Sequence, residues 1–169
     1  MLKKAAIFAV SSLPVLFYFW YLWRFSTPFP NEDDIPAILA FINHAFPFTG
    51  ESWRLLFVPF REHVILPAKI IAYFQVLFTG NMNLKAMILL GNLFWVRVLW
   101  LLYTLTKEAR IPSFLFLPVP FVLFQVQFSE TALWPMALWS NLIVVWLAVE
   151  ALNLLISARK EFWRCGLAF

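Results

Sequence analysis

The sequence predicts an all-α integral membrane protein with four complete transmembrane helices and interfacial amphipathic helices in a long first exoplasmic loop. Of its 169 residues, 63% are hydrophobic and 20% are aromatic, whereas only 13% are charged. Soluble domains carry about 25% charged residues, and a soluble chain of this size could not hide so much apolar surface in one core. The mean hydropathy of +0.80 agrees. The composition therefore excludes a soluble secreted domain, a disordered chain and an ordinary cytosolic enzyme.

The charged and metal-ligating residues exclude several further classes. The net charge is +4, but the basic residues stand at the ends of apolar runs and form no patch, so we expect no nucleic-acid partner. Cys165 is the single cysteine of the sequence, so an internal disulfide bond cannot form. With His44 and His63 as the two histidines, this chain alone cannot build a multi-histidine zinc site.

The apolar runs predict one transmembrane domain over residues 1–169. Because a spanning helix needs about 20 apolar residues, we place spans at about 5–25, 86–105, 111–128 and 132–156. The first span follows Lys3 and Lys4 as in a signal peptide, but it is too long for one and lacks a small-residue cleavage site, which predicts an uncleaved anchor. A new apolar stretch starts at 162–169, so we expect the sequence to be truncated.

The topology depends on residues 64–79, which are apolar enough to span but contain Pro67, Lys69 and Gln75. Their apolar positions recur on one side at helical spacing, as in a helix that lies in the membrane interface. If this stretch lies flat and the N-terminus is cytoplasmic, the basic clusters that follow the later spans are cytoplasmic, as the positive-inside rule requires. If it spans, those clusters move outside. We therefore predict that residues 26–84 form one exoplasmic loop.

The exoplasmic loop begins with the densest acidic run of the chain, Glu32, Asp33 and Asp34. An amphipathic helix over 34–46 follows, and one interpretation is that the acids cap its first turn. Capping needs one or two such residues, however, and here there are three. The other interpretation is a general base, or a cluster that binds a divalent cation, at the membrane surface.

Other charged residues are expected on the same side of the membrane. Arg54, Arg61, His63 and Lys69 could hold a lipid phosphate together, although each could also simply contact headgroups. Glu130 lies in the short turn between the last two complete spans, where it is either a solvated loop acid or a second functional carboxylate.

Two ionisable residues, Arg97 and Glu150, fall inside predicted spans. A charge is costly there, and their similar depth allows contact between them. We therefore interpret them as a structural ion pair, with a transport pathway as the alternative.

The order of these features resembles the N-terminal module of the GT-C glycosyltransferases, polytopic enzymes that take sugars from polyprenyl-phosphate donors. An acidic pair follows the first span, an amphipathic helix follows the pair, and a polar segment with a proline (62–67) precedes the second interfacial helix. A short proline-rich span then leads to the acid Glu130 in the next exoplasmic turn. The resemblance covers nearly all 169 residues and only the front portion of a usual family member.

The resemblance implies a membrane glycosyltransferase, or its N-terminal portion, that transfers a sugar to an acceptor on the exoplasmic face of a bacterial inner membrane. Asp33 or Asp34 would be the catalytic carboxylate, with Glu32 as the alternative, and Asp33 and Glu130 could bind Mg²⁺ or Mn²⁺. Arg54, Arg61, His63 and Lys69 would hold the donor phosphate. The alternative is a non-catalytic small membrane subunit whose spans pack against partner helices. The expected partners are membrane lipid, the polyprenyl-phosphate sugar and other membrane subunits.

Overall fold

The computed structural model describes the backbone of residues 2–61, 63 and 65–166. It describes the side chains of residues 6–61, 63 and 65–158. Its helices confirm the predicted all-α membrane fold. We number them as follows: α1 (Leu2–Phe25), α2 (Ile35–Ala45), α3 (Ser52–Phe57), α4 (Leu66–Thr79), α5 (Leu84–Glu108), α6 (Ser113–Ala132) and α7. α6 is a span of four short helical pieces, Ser113–Phe116, Pro118–Leu123, Val126–Phe128 and Ser129–Ala132, and α7 joins Pro135–Ala137, Leu138–Leu142 and Ile143–Gly166. Four segments of the described chain are long and apolar enough to cross a membrane, namely Ala6–Phe25, Leu84–Glu108, Ser113–Ala132 and Pro135–Ala158.

The bounds of the later spans differ from the predicted ones for local reasons. α6 begins at Ser113 rather than at 111, because Pro112 has an extended backbone and the residue before a proline avoids the helical region. α7 begins at Pro135, which suits a first helical turn. No new helix starts at residue 162, because α7 continues unbroken to Gly166; the rest of that predicted span lies outside the described residues.

Helices α1 and α5 are antiparallel, so residues 26–83 leave and re-enter the bundle at the same end. The Lys85 Nζ at the start of α5 donates to the carbonyl of Trp23 near the end of α1, at 2.7 Å. Deeper in the bundle, the Tyr18 hydroxyl donates to Asn92 Oδ1 at 2.5 Å. We call this end of the bundle the loop end. Because α4 has only 14 residues, it is about 21 Å long.

The last two spans complete an up-and-down arrangement. α6 runs towards the loop end, because Phe116 at its start packs on Tyr103 of α5. α7 runs back beside α5, since the Trp139 indole N–H donates to the Met87 carbonyl at 3.1 Å. The turn between α6 and α7 therefore faces the same end as residues 26–83.

A buried asparagine joins three of the spans. Asn92 is fully buried, and its amide donates to the carbonyls of Ile88 (2.8 Å) and Ala132 (2.9 Å) while its oxygen accepts from Tyr18. Every polar group in a membrane must find an internal partner, and this network satisfies the asparagine while it links α1, α5 and α6.

The loop helices form a packed unit against the start of α7. The predicted amphipathic helix over 34–46 is confirmed as α2, and its first turn is a π-helix. α4 turns its small residues Ala68 and Ala72 inwards, which lets its backbone approach its neighbours closely. The apolar residues Phe74, Leu77 and Phe78 of α4 are exposed on the outside of the protein, where a helix in the membrane interface has its apolar side. The face of α4 that packs on the protein is therefore the one with small side chains.

We expect Gly91→Val to destabilise the fold. A Cβ at this position would lie 2.6 Å from Leu138 Cδ2 and 2.9 Å from its Cγ, so α5 and α7 would have to move apart, at a cost of about 1–3 kcal/mol. The measurement is the apparent unfolding temperature of the detergent-solubilised protein, followed by tryptophan fluorescence. Gly50→Val is the matched control, because nothing lies within 4 Å of that site. Equal unfolding temperatures for the two variants would contradict this packing.

Candidate functional site

A cavity of about 670 Å³ opens at the loop end, where Asp33 of the acidic run, Phe60, Arg61, His63 and Ile65 face the first turns of α7. Its polar lining consists of Asp33, Arg61, His63, Ser140 and Asn141. Three of the predicted site residues, Asp33, Arg61 and His63, therefore meet in one place although they are separated by up to 30 positions in the sequence.

The two charged groups of the cavity form an ion pair. Arg61 Nη2 lies 2.9 Å from Asp33 Oδ1, with the Asp33 side chain 20% exposed and that of Arg61 70% exposed. The guanidinium also lies over the Phe60 ring, 5.3 Å from its centroid. Asp33 is thus partly enclosed, whereas its partner is accessible to a second anion.

A tight turn holds Arg61 and His63 at the cavity. The backbones of Phe60 and His63 exchange two hydrogen bonds, of 2.8 and 3.0 Å, and Arg61 has a φ of +53°. A left-handed conformation costs a residue with a side chain about 1–2 kcal/mol. Backbone strain of this kind is often found at functional sites. Glu62, and with it part of the predicted 62–67 segment, lies outside the described residues.

Asp34 has a different environment from its neighbour Asp33. It is fully buried, and its carboxylate accepts the backbone N–H groups of Asn31 (3.0 Å) and Met136 (3.1 Å). It makes no side-chain hydrogen bond to the first turn of α2, so the capping interpretation is wrong for this residue. Instead, Asp34 connects the loop to the start of α7. Burial raises its pKa, and the two backbone hydrogen bonds only partly offset that effect.

Part of the cavity lining comes from the π-helical segment Leu138–Leu142 of α7. Single-turn π-helices often occur at functional sites. The segment contributes Ser140, whose hydroxyl donates to the Met136 carbonyl at 2.7 Å, and Asn141. Sequence reasoning missed both residues. The available signal was a pair of adjacent polar residues inside the apolar run 132–156.

The structure does not bring the remaining predicted residues to this cavity. Glu32, Arg54 and Glu130 are exposed and are not among its lining residues. Lys69 is buried, and its ammonium donates to the carbonyls of Leu55 (2.8 Å) and Val58 (2.7 Å) at the end of α3. Lys69 thus stabilises the end of a short helix, and burial lowers its pKa.

The predicted divalent cation would find few protein ligands among the described residues. Those residues contain no group of three or more His, Cys, Asp or Glu side chains that could hold a metal ion. Asp33 is the one carboxylate among the described lining residues, and it already faces the guanidinium of Arg61. Because Mg²⁺ is usually held by one or two carboxylates together with substrate phosphates and water, this described lining offers it one carboxylate ligand, that of Asp33.

Comparisons of the chain with protein-family models, with curated proteins and with solved structures gave no match. The geometry of the site offers a partly enclosed carboxylate, an accessible guanidinium and an imidazole beside the first turns of a spanning helix.

The buried Asp34 should give the protein a specific pH dependence. A raised pKa in the folded state adds stability that is fully present below about pH 4, the ordinary range of the group, and is lost as the pH rises through the folded pKa. We expect the unfolding temperature of the wild type, minus that of Asp34→Asn, to be largest below pH 4 and to shrink as the pH rises. Thermal unfolding in detergent between pH 3 and 8 measures this difference. A difference that grows with pH would contradict the assignment.

Proposed function

We propose that this protein is a membrane glycosyltransferase of the GT-C type, which transfers a sugar from a polyprenyl-phosphate donor to an acceptor at the loop end. The observation that carries the proposal is the cavity in which Asp33, Arg61 and His63 meet above the first turns of a spanning helix. A transferase that uses this donor needs a base, cationic phosphate ligands and access to the lipid within one site.

The shape of the cavity favours a lipid-linked substrate over a soluble one. Its upper wall carries the charged groups of the loop, whereas its lower wall includes Ala137, Asn141 and Val144 of α7. These three residues belong to the segment that is apolar enough to cross a membrane. A phosphate near Arg61 could therefore continue into an isoprenoid chain along α7.

In the proposed reaction, Asp33 is the general base. It accepts the proton of the acceptor hydroxyl, whose oxygen forms a bond to the anomeric carbon of the sugar. The bond from that carbon to the donor phosphate oxygen breaks, and the polyprenyl phosphate leaves with the bonding electrons. A single displacement of this kind inverts the anomeric configuration.

Arg61 has two successive roles in this scheme. Before the donor binds, it neutralises Asp33 across 2.9 Å. The donor phosphate then competes for the guanidinium, which binds phosphate oxygens well. As Arg61 moves to the phosphate, Asp33 is released to act as a base, and His63 can donate to the leaving phosphate. The base thus becomes active only when the donor is present.

The proposed orientation places the N-terminus in the cytoplasm and the cavity on the exoplasmic side, in the inner membrane of a bacterium. The up-and-down arrangement of the four spans supports it, because the basic clusters at the C-terminal ends of α5 and α7 then lie at the opposite end of the bundle from the loop end.

The decisive experiment replaces the proposed base. We expect Asp33→Asn to lower sugar transfer about 100-fold or more, because general-base catalysis contributes about 10²–10⁴-fold. Membranes that contain each variant are incubated with a panel of radiolabelled polyprenyl-phosphate sugars, and label transferred to any acceptor is counted. Glu51→Gln is the matched control, since Glu51 is exposed and does not line the cavity.

Two outcomes would contradict the assignment. Undiminished transfer by Asp33→Asn at normal expression would remove Asp33 from the role. A comparable loss in Glu32→Gln, with Asp33→Asn active, would transfer the role to the exposed neighbour.

The second candidate function is a non-catalytic subunit that packs against partner helices, and the Arg97–Glu150 pair favours it. The predicted ion pair is confirmed, with Arg97 Nη2 2.6 Å from Glu150 Oε1. Arg97 lies 13 residues after the start of α5 and 11 before its end, so it is near mid-membrane, yet its side chain is 45% exposed. The other guanidinium N–H groups of Arg97 need hydrogen-bond acceptors at this depth of the membrane. A polar side chain on an adjacent partner helix would supply them.

This candidate predicts a larger assembly in the membrane. We expect the wild type to migrate in a native gel of mildly solubilised membranes as a complex, and Arg97→Leu/Glu150→Leu to migrate as a smaller species. The double change removes both charges, so neither is left unpaired. Asp33→Asn is the control and should migrate like the wild type. A wild type that migrates as the chain alone would contradict a subunit role.

A further inference from the structure

We propose that a groove at the end of the bundle opposite the loop end binds an anionic phospholipid. The groove lies between α1, α5 and α6 and has a volume of about 600 Å³. It is separate from the candidate functional site, and the inference does not depend on the proposed transferase activity.

The walls of the groove suit an acyl chain. Phe8, Val15 and Leu16 of α1 face Val96 and Leu99 of α5 across it. All five belong to segments that are apolar enough to cross a membrane. Hydrocarbon in this groove would meet apolar side chains along most of its length, and in a bilayer the available hydrocarbon is that of lipids.

One end of the groove is positively charged. Lys107, which lines it, lies in the last turn of α5, and its ammonium lies 5.3 Å from the centroid of the Tyr103 ring. The hydroxyl-bearing Ser113, at the start of α6, lines the groove too. No Asp or Glu is among the described residues that line it. The end of the groove thus offers a cation and hydroxyl groups to a headgroup.

The combination of an apolar groove and a terminal cation identifies the class of ligand. Basic pockets between transmembrane helices bind the headgroups of anionic lipids. A phosphatidylglycerol-type lipid would place its phosphate at Lys107 and one chain between α1 and α5. A zwitterionic lipid such as phosphatidylcholine carries the same phosphate, but its quaternary ammonium makes the headgroup neutral overall and offsets part of the attraction to Lys107. We therefore infer selectivity for the headgroup, beyond the general affinity of the groove for hydrocarbon.

The test measures the lipid that the purified full chain retains. The protein is exchanged into micelles that contain equal amounts of phosphatidylglycerol and phosphatidylcholine with the same acyl chains, and native mass spectrometry counts the bound lipids. We expect the wild type to retain phosphatidylglycerol preferentially. Lys107→Gln should lower the ratio of the two lipids about fivefold, the effect expected for one basic residue at a membrane surface.

Three further variants separate the headgroup, the groove and the fold. Lys107→Arg should keep the preference, because it keeps the charge. Ser11→Phe should reduce the retention of both lipids, because it fills the groove. Lys85→Gln, at the loop end, should bind like the wild type.

The proposal would be overturned if Lys107→Gln kept the wild-type ratio, or if Ser11→Phe retained as much lipid as the wild type. Equal retention of the two lipids by the wild type would overturn it too. Circular dichroism establishes that each variant is folded, and if Lys107→Gln fails to fold, the comparison of Ser11→Phe with the wild type still decides the matter.

Discussion

The buried carboxylate of Asp34 is the constraint on which the candidate site depends. It accepts one backbone N–H from its own loop and one from Met136, 102 positions later in the sequence. This contact fixes the acidic run above the start of α7. Because Asp33 is the preceding residue, the same contact places its side chain at the mouth of the cavity. The structural carboxylate of Asp34 therefore positions the carboxylate of Asp33, which we propose as the general base.

A second constraint is that polar groups away from water must find partners within the protein. Asn92 satisfies this requirement with three hydrogen bonds inside the bundle. Lys69 satisfies it at the end of α3, where two carbonyls accept from its ammonium. Arg97 meets it only in part, through Glu150. The first two residues stabilise the fold, whereas the third indicates a surface where a further polar group would be favourable.

The candidate site was only partly predictable from the sequence. Asp33, Arg61 and His63 could be identified, because charged residues in a loop next to a spanning helix suggest function. Lys69 could not be distinguished from Arg61, since both side chains are positively charged and only packing shows that Lys69 is buried. Ser140 and Asn141 were overlooked because they lie within an apolar run. The sequence does not show that two polar residues of an apolar helix line a cavity, because the cavity is formed by residues from other parts of the chain.

The sequence by itself determined the fold class, the number of spanning helices and their approximate bounds. Those properties follow from the length and composition of local apolar runs, since the membrane requires every spanning segment to be apolar and helical. Only the tertiary structure decided which of two adjacent acids is buried, which face of α4 packs inwards and which charges meet at the cavity. These outcomes depend on contacts between residues that are distant in the sequence, and local patterns do not carry that information.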